Sequence, residues 1–204
     1  MYIETRRLIV RTFREEDSAA LYRIKTDPQV TEYCPDLLDV KVDESDVVRY
    51  IRKFIGYEER CDIESWRCYA IELKESGEVV GCLTSSMDKM LHEPELGWMM
   101  IGEHTKNGYA SEAAEAFAEY YCRATGCDYM IVIMDTDNPA SRRTAEKSGF
   151  RLFEKRTVYD YHYNRYCDDY YYFRRYSSLC TLTERFYGDK PYEGRSTNKD
   201  GVKS

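Results

Sequence analysis

Apolar residues recur every second position in some stretches of this chain and every third or fourth in others, and the change of period marks the elements. Leu8-Ile9-Val10-Arg11-Thr12 is a short β-rich run. Glu15-Glu16-Asp17 follows, acidic residues suited to the positive first turn of a helix that carries Ala20, Leu21 and Ile24. Asp27-Pro28 breaks that pattern, and a second helix is predicted from Glu44 to Glu58, where Val47, Val48, Ile51, Phe54 and Ile55 fall at helical spacing. The period then drops to two. Trp66 to Leu73, a turn at Ser76-Gly77 and Glu78 to Ser85 read as an antiparallel hairpin, and Pro94 to Ile101 as a third strand whose Gly97 marks a bulge.

The clearest element is a helix from Tyr109 to Ala124, with Ala110, Ala113, Ala114, Phe117, Ala118, Tyr121 and Ala124 on one stripe. Glu112, Glu115, Glu119 and Arg123 are expected to face water, and Gly126 to end the helix. Asp128 to Met134 is the continuous apolar run of a strand covered on both faces. Asn138 as N-cap and Pro139 in the first turn open another helix, which Gly149 closes. Phe150 to Tyr159 and Arg165 to Arg175 are the last strands. The pattern predicts an α/β or α+β fold around one mixed sheet. Residues 1–187 read as a single domain, and 188–204, with almost nothing to bury, as a flexible tail.

Composition narrows the function classes. The chain has 204 residues, 43% hydrophobic and 14% aromatic, which supplies a core although 33% are charged. Lys and Arg number 30 against 37 Asp and Glu, a net charge of −7 that disfavours nucleic acid as a partner and suits an amine-bearing substrate. No run reaches the roughly 20 apolar residues of a membrane span, and Met1 leads into Glu4-Thr5-Arg6-Arg7, so a cytoplasmic protein without a membrane partner is expected. The eight cysteines then read as free thiols. None forms a Cys-x-x-Cys and the three histidines are scattered, so no metal is expected.

Chemistry is suggested first by Thr105-Lys106-Asn107-Gly108-Tyr109-Ala110-Ser111, between a strand and the strongest helix. The first N–H groups of a helix lack internal partners and the macrodipole adds about half a positive charge, so such a loop can hold a phosphate. Lys106 could add a cationic contact and Ser111 a hydroxyl. On local grounds alone, a glycine before a helix is equally an ordinary loop residue.

Four ordered blocks carry more. They are Ile3-Glu4-Thr5-Arg6-Arg7-Leu8-Ile9-Val10-Arg11 with Asp27-Pro28-Gln29-Val30; Glu95-Leu96-Gly97-Trp98; Asn107-Gly108-Tyr109-Ala110-Ser111-Glu112-Ala113; and Asn138-Pro139-Ala140-Ser141 with Glu146-Lys147-Ser148-Gly149-Phe150-Arg151. In them the chain resembles the GNAT superfamily of acyl-coenzyme A N-acyltransferases, most closely the branch of ribosomal-protein N-terminal acetyltransferases, over residues 3–152. The resemblance implies a mostly antiparallel sheet of about six to seven strands flanked by helices, with the family's fourth and fifth strands splayed. It implies acetyl-coenzyme A as co-substrate, its pyrophosphate at residues 105–111 and its pantetheine near Trp98, Met99, Met100 and Ile101, with Asn138 and Ser141 close to the coenzyme and the thioester. Two positions depart from the family. Thr105 stands where Gln or Arg is frequent, and Ala145 where many members carry a tyrosine that protonates the leaving thiolate; in the branch this chain resembles, the serine at the position of Ser141 has that role, so the resemblance makes Ser141 the candidate general acid.

Glu95 is the candidate general base, since an amine must shed a proton before it attacks a thioester; the alternative is an exposed strand glutamate. An α-amino group, with a pKa of about 8, needs far less help than lysine at about 10.4. The tyrosines at 159, 161, 163, 166, 170, 171, 172 and 176 fit either an acceptor cleft or one packed aromatic face of a hairpin. The expected activity is acetyl transfer to a primary amine, by a monomer or homodimer. A non-catalytic acyl-coenzyme A-binding module and a partner-binding domain are the alternatives.

Overall fold

The computed structural model describes residues 1–34, 43–60, 65–88, 91–160 and 165–180. Eight strands form one sheet: β1 (Tyr2–Glu4), β2 (Leu8–Thr12), β3 (Arg67–Leu73), β4 (Val79–Met87), β5 (Pro94–Met100), β6 (Tyr129–Asp135), β7 (Arg151–Asp160) and β8 (Arg165–Tyr176). Their spatial order is β1-β2-β3-β4-β5-β6-β8-β7. Every neighbouring pair is antiparallel except β5 with β6. The sheet thus exceeds the six to seven strands expected. The addition is β1, three residues with no alternation to betray them, held by pairing Ile3 with Val10.

Helices α1 (Ser18–Thr26), α2 (Pro28–Thr31), α3 (Glu44–Glu59), α4 (Tyr109–Thr125) and α5 (Pro139–Lys147) cover the sheet. On one face Ala113, Ala114, Phe117, Ala118 and Tyr121 of α4 bury against Val10, Ile71, Leu83, Leu96 and Met130. On the other, Leu21 and Ile24 of α1 and Val47, Ile51 and Phe54 of α3 pack on Cys68, Ala70, Cys82 and Ile101. Strand side chains alternate between these two clusters, as a pleated ladder requires. Among the described residues no helix is long and apolar enough to cross a membrane.

Three local expectations are corrected and one is extended. Gly97 makes no bulge: the β4–β5 register runs unbroken from Met87 opposite Pro94 to Gly81 opposite Met100. Glycine is needed there because a β-carbon would lie 2.5 Å from Thr84 Oγ1 on the facing strand. Asp17 stands in the acidic first turn of a short helix, as expected, and accepts from Arg14 N at 2.7 Å, but it has a second role. It is buried, accepting hydrogen bonds from Arg11 Nη1 at 2.6 Å and Nη2 at 3.0 Å, while Arg11 also meets Glu72. Glu112 and Glu119 are not left to water. Glu112 binds Thr5 and Arg7, and Glu119 binds Arg175, Ser177 and Ser178, so the outer face of α4 ties down both the N-terminal strands and the end of β8. At the C-terminal end of the stripe, Ala124 is exposed and Cys122 is buried instead.

Other expectations fit the structure closely. Gly126 caps α4 in the left-handed region at φ 75°. Asn138 caps α5, accepting from Ser141 N, and Gly149 at φ 81° lets Phe150 N close back on Ala145 O at 3.0 Å. Tyr172 and Tyr176 are 1% and 6% exposed, packed against Phe153 and Tyr129. That is the packed face rather than a cleft for these two; the side chains of the tyrosines from 159 to 170 lie outside the described residues, as does the tail expected over 188–204. The described cysteines 34, 68, 82, 122, 127 and 180 are free thiols.

Candidate functional site

β5 and β6 register at one pair, Glu95 with Ile131, and diverge beyond it. The backbone of β5 is therefore committed on one side only. Ile101 N donates to Val80 O at 3.0 Å, and hydrogen-bonded pairs alternate along an antiparallel ladder, so Glu95, Gly97 and Met99 turn their main-chain groups to β4. Trp98 and Met100 turn theirs into the wedge. Their side chains, with Met99 and Ile101, belong to the cores: Trp98 and Met100 pack on the α4 side, Met99 and Ile101 on the α1/α3 side. What this strand offers a ligand is backbone amides, which suits a slender, amide-bearing chain.

Glu95 stands where the wedge begins, on the α1/α3 face, opposite Ser86. Burial, with the charge of Asp88 adding to it, raises its carboxyl to about 7. A carboxylate at that value is a much stronger proton acceptor than an exposed glutamate and is still half ionised at neutral pH.

At the far end of β5 the chain makes a turn over Gly102–His104 and enters α4 through a loop with two left-handed residues, Lys106 at φ 65° and Gly108 at φ 77°. Thr105 Oγ1 donates to Gly102 O and Asn107 Nδ2 to His104 O, which fix the loop on itself. Glu112 N makes the first intrahelical bond, to Gly108 O, and no side chain caps the helix among the described residues. The N–H groups of Tyr109, Ala110 and Ser111 are thus left for a ligand, with the exposed Lys106 beside them. This donor set fits the pyrophosphate of a coenzyme A.

Asn138 is buried and its side-chain oxygen is occupied by Ser141 N at 2.9 Å, so its role in the sequence is first that of a cap. Ser141 is half-buried, and its hydroxyl has no hydrogen-bond partner among the described residues. Ala145 is fully buried. Ser148 Oγ lies 3.3 Å from Ser111 O and 2.8 Å from Thr144 O, which seats the end of α5 on the first turn of α4 and ties the two halves of the site together.

One residue that sequence reasoning did not single out is Arg7. Its Nε meets Glu112 Oε2 at 2.7 Å, its Nη1 donates to Asn107 O at 3.0 Å, and its guanidinium lies 4.6 Å from the Tyr109 ring centroid. Burial pushes the Glu112 carboxyl up, but Thr5 and Arg7 outweigh it and hold the carboxyl below its ordinary range. Arg7 stands in the first of the four blocks, yet its partners lie about a hundred positions away, beyond the reach of any local pattern. Arg7→Ala should weaken acetyl-coenzyme A binding about tenfold, measured by calorimetry, and Arg7→Lys should recover little, because an ammonium cannot hold Asn107, Glu112 and the ring together. Wild-type affinity in Arg7→Ala would show that the loop holds its shape unaided.

Among the described residues Glu78, Glu103 and His104 bring possible metal-ligating atoms within 4.8 Å of one another. Arg23 pairs with Glu103 and lies 3.7 Å from Glu78, so a cation already occupies that charge.

The carboxylate, the wedge and the uncapped helix start thus follow one another along β5 and the loop that leaves it. The chain belongs to the acetyltransferase (GNAT) domain family, whose model matches residues 7–151. It is 28% identical over 174 residues to the uncharacterized N-acetyltransferase YnaD of Bacillus subtilis (strain 168), covering 84% of this chain and 95% of that one. Its structure is similar to that of a GNAT-family acetyltransferase from Bacillus anthracis, with a TM-score of 0.69 and 26% identity over 86% of this chain and 98% of the other. It shares the fold of RimL, a ribosomal L7/L12 alpha-N-protein acetyltransferase in complex with coenzyme A, at a TM-score of 0.72 and 17% identity over 87% and 98% of the two chains. This protein is an acyltransferase.

Proposed function

We propose that the protein transfers the acetyl group of acetyl-coenzyme A to a primary amine, a protein N-terminal α-amine or a small amine, by direct attack within a ternary complex. The observation that carries the reading is the carboxyl of Glu95, half-buried at the apex of the wedge, where burial raises it to about 7. Acetyl-coenzyme A supplies the acetyl carbon already activated as a thioester. The N–H groups of Tyr109, Ala110 and Ser111, with Lys106, hold its phosphates through the loop that Thr105, Asn107 and Gly108 shape. Trp98 and Met100 offer backbone groups to its pantetheine amides, with the side chains of Met99 and Ile101 closing the floor behind them. RimL, of the same fold, is a protein that holds coenzyme A.

Glu95 accepts the proton of the incoming ammonium, directly or through a water. The energies decide which amines are suitable. Moving a proton from an α-ammonium of pKa about 8 to a carboxylate near 7 is uphill by about 1.4 kcal/mol, whereas from a lysine at about 10.4 the cost is about 4.6 kcal/mol. The site as tuned therefore favours α-amines and other amines of low pKa. Ser141, whose hydroxyl has no hydrogen-bond partner among the described residues, passes a proton to the departing thiolate and takes one up from solvent in its place.

The deciding experiment is thiol release by the purified protein with acetyl-coenzyme A and panels of peptides with free N-termini, polyamines and aminoglycosides. Release dependent on one class of amine is expected; none with any amine would end the proposal. Ser141→Ala should lower turnover about tenfold with little rescue at high pH, since a thiol of pKa near 8.5 leaves fairly well unaided. Full activity in that variant would pass the role of acid to solvent.

A further inference from the structure

Away from the wedge, at the other end of α4, Cys122 and Cys127 bring their sulfurs to 3.3 Å. The local sequence accounts for this. Cys122 lies in the last turn of α4, 3% exposed, and Gly126 at φ 75° returns its N–H to Cys122 O at 2.8 Å. That left-handed step folds the next residue back over the turn, so Cys127 rests half-buried on top of a buried cysteine. A disulfide requires about 2.05 Å, so the sulfurs need approach by little more than an ångström.

We propose that Cys122 and Cys127 form a thiol–disulfide exchange centre, with Cys127 the attacking thiol, Cys122 the resolving thiol, and small-molecule disulfides the reacting class. The two sulfurs are unequal in access and in environment. Cys127 is reached from solvent. The neighbouring Cys122 thiol, the Thr125 hydroxyl and backbone N–H groups of Tyr129 and Cys127 outweigh burial and hold the Cys127 thiol below its ordinary value. Cys122 is pushed up by Cys127 and by burial; Glu119 adds to this and Arg175 opposes it, with the Tyr121 phenol also facing the pair. The accessible sulfur is thus the nucleophile and the enclosed one is held as thiol until needed.

The steps balance without another reagent. The Cys127 thiolate attacks one sulfur of the small disulfide, forming a mixed disulfide and expelling a thiolate that takes up a proton. The Cys122 thiol gives up its proton, attacks the Cys127 sulfur and expels the second thiolate. Two protein thiols are oxidised, and one small disulfide is reduced to two thiols. The centre needs nothing from the acetyl-transfer reading: at about 1.5 Å per residue, α4 sets it about 20 Å from the phosphate loop.

Treatment of the whole protein with oxidised glutathione at neutral pH, followed by tryptic mapping by mass spectrometry, tests the proposal. Cleavage after Arg123 separates the two cysteines, so a bridge appears as two peptides joined with the loss of two hydrogens. The wild-type protein should give that bridge. Cys122→Ser should instead accumulate one glutathionyl group on Cys127, and Cys127→Ser should leave Cys122 at least about tenfold less modified than Cys127 in its counterpart. Free thiols at both positions in the wild type, a glutathionyl group that persists on wild-type Cys127, or equal labelling of Cys122 in Cys127→Ser would overturn it. The wild-type map involves no substitution and stands whether or not either variant folds.

Discussion

Glu95→Gln should lower turnover on a good amine acceptor by about 10²-fold or more, while affinity for acetyl-coenzyme A stays that of the wild type. The amide keeps the shape and the burial but cannot take a proton. With the carboxyl at about 7, wild-type kcat/KM should climb through neutrality as Glu95 ionises, and the variant should lack that limb. Its deficit should narrow at high pH, where the amine is already neutral. The same group fixes a second, independent readout. Its pKa rises from an ordinary 4.5 to about 7 on folding, so its contribution to stability is whole below pH 4.5, is lost as the pH climbs, and is gone above about 7. Relative to the wild type, Glu95→Gln should therefore gain stability between pH 5 and 8, by up to about 3 kcal/mol at the 1.36 kcal/mol each unit carries. A pH–rate profile and melting curves at pH 5 and 8 measure both. Wild-type turnover in the variant would remove Glu95 as the base, and an unchanged pH dependence of melting would return it to the ordinary glutamate range.

Gly108→Val should abolish detectable acetyl-coenzyme A binding and leave a folded protein. At φ 77° a β-branched residue is strained whatever space it finds, and its β-carbon would sit 3.5 Å from Arg7 Nη2. The loop relieves that strain by leaving the conformation that aims the N–H groups of Tyr109, Ala110 and Ser111. In the wild type, coenzyme at 100 times its dissociation constant should stabilise the fold by about 2.7 kcal/mol, seen as a higher melting temperature. In Gly108→Val that rise should vanish. Retained affinity would put the phosphates elsewhere.

Elements whose stability is written in local chemistry were legible in the sequence. The Ala-rich stripe of α4, the apolar run of β6, and the Asn138-Pro139 opening and Gly149 close of α5 each satisfy a period or a cap within a few residues. So was the uncapped start of α4, because a helix start and a glycine lie side by side. What escaped depends on partners distant in sequence. Gly97 in a strand looks like a bulge until Thr84 is seen across the ladder, and Glu112 on an outer helix face looks solvated until Thr5 and Arg7 arrive from β1–β2. A carboxylate at residue 95 was legible as a candidate base. Its tuning was not, since that depends on burial and on Asp88, seven positions away across a turn.

The wedge between β5 and β6 has a consequence for the molecule's behaviour among copies of itself. A sheet that parts in its middle acquires two more free edges, and free edges invite strands of other chains. Here the opening's own shape answers the hazard. A strand must lie about 4.8 Å from each neighbour to pair with both, and lips that diverge from Glu95 and Ile131 offer that spacing at no more than one depth. A stray segment could bond to one lip while leaving its other side unsatisfied, and above neutral pH it would also enclose an ionised carboxylate at the apex. Divergence therefore keeps an unpaired edge in the heart of a sheet from becoming a template for aggregation.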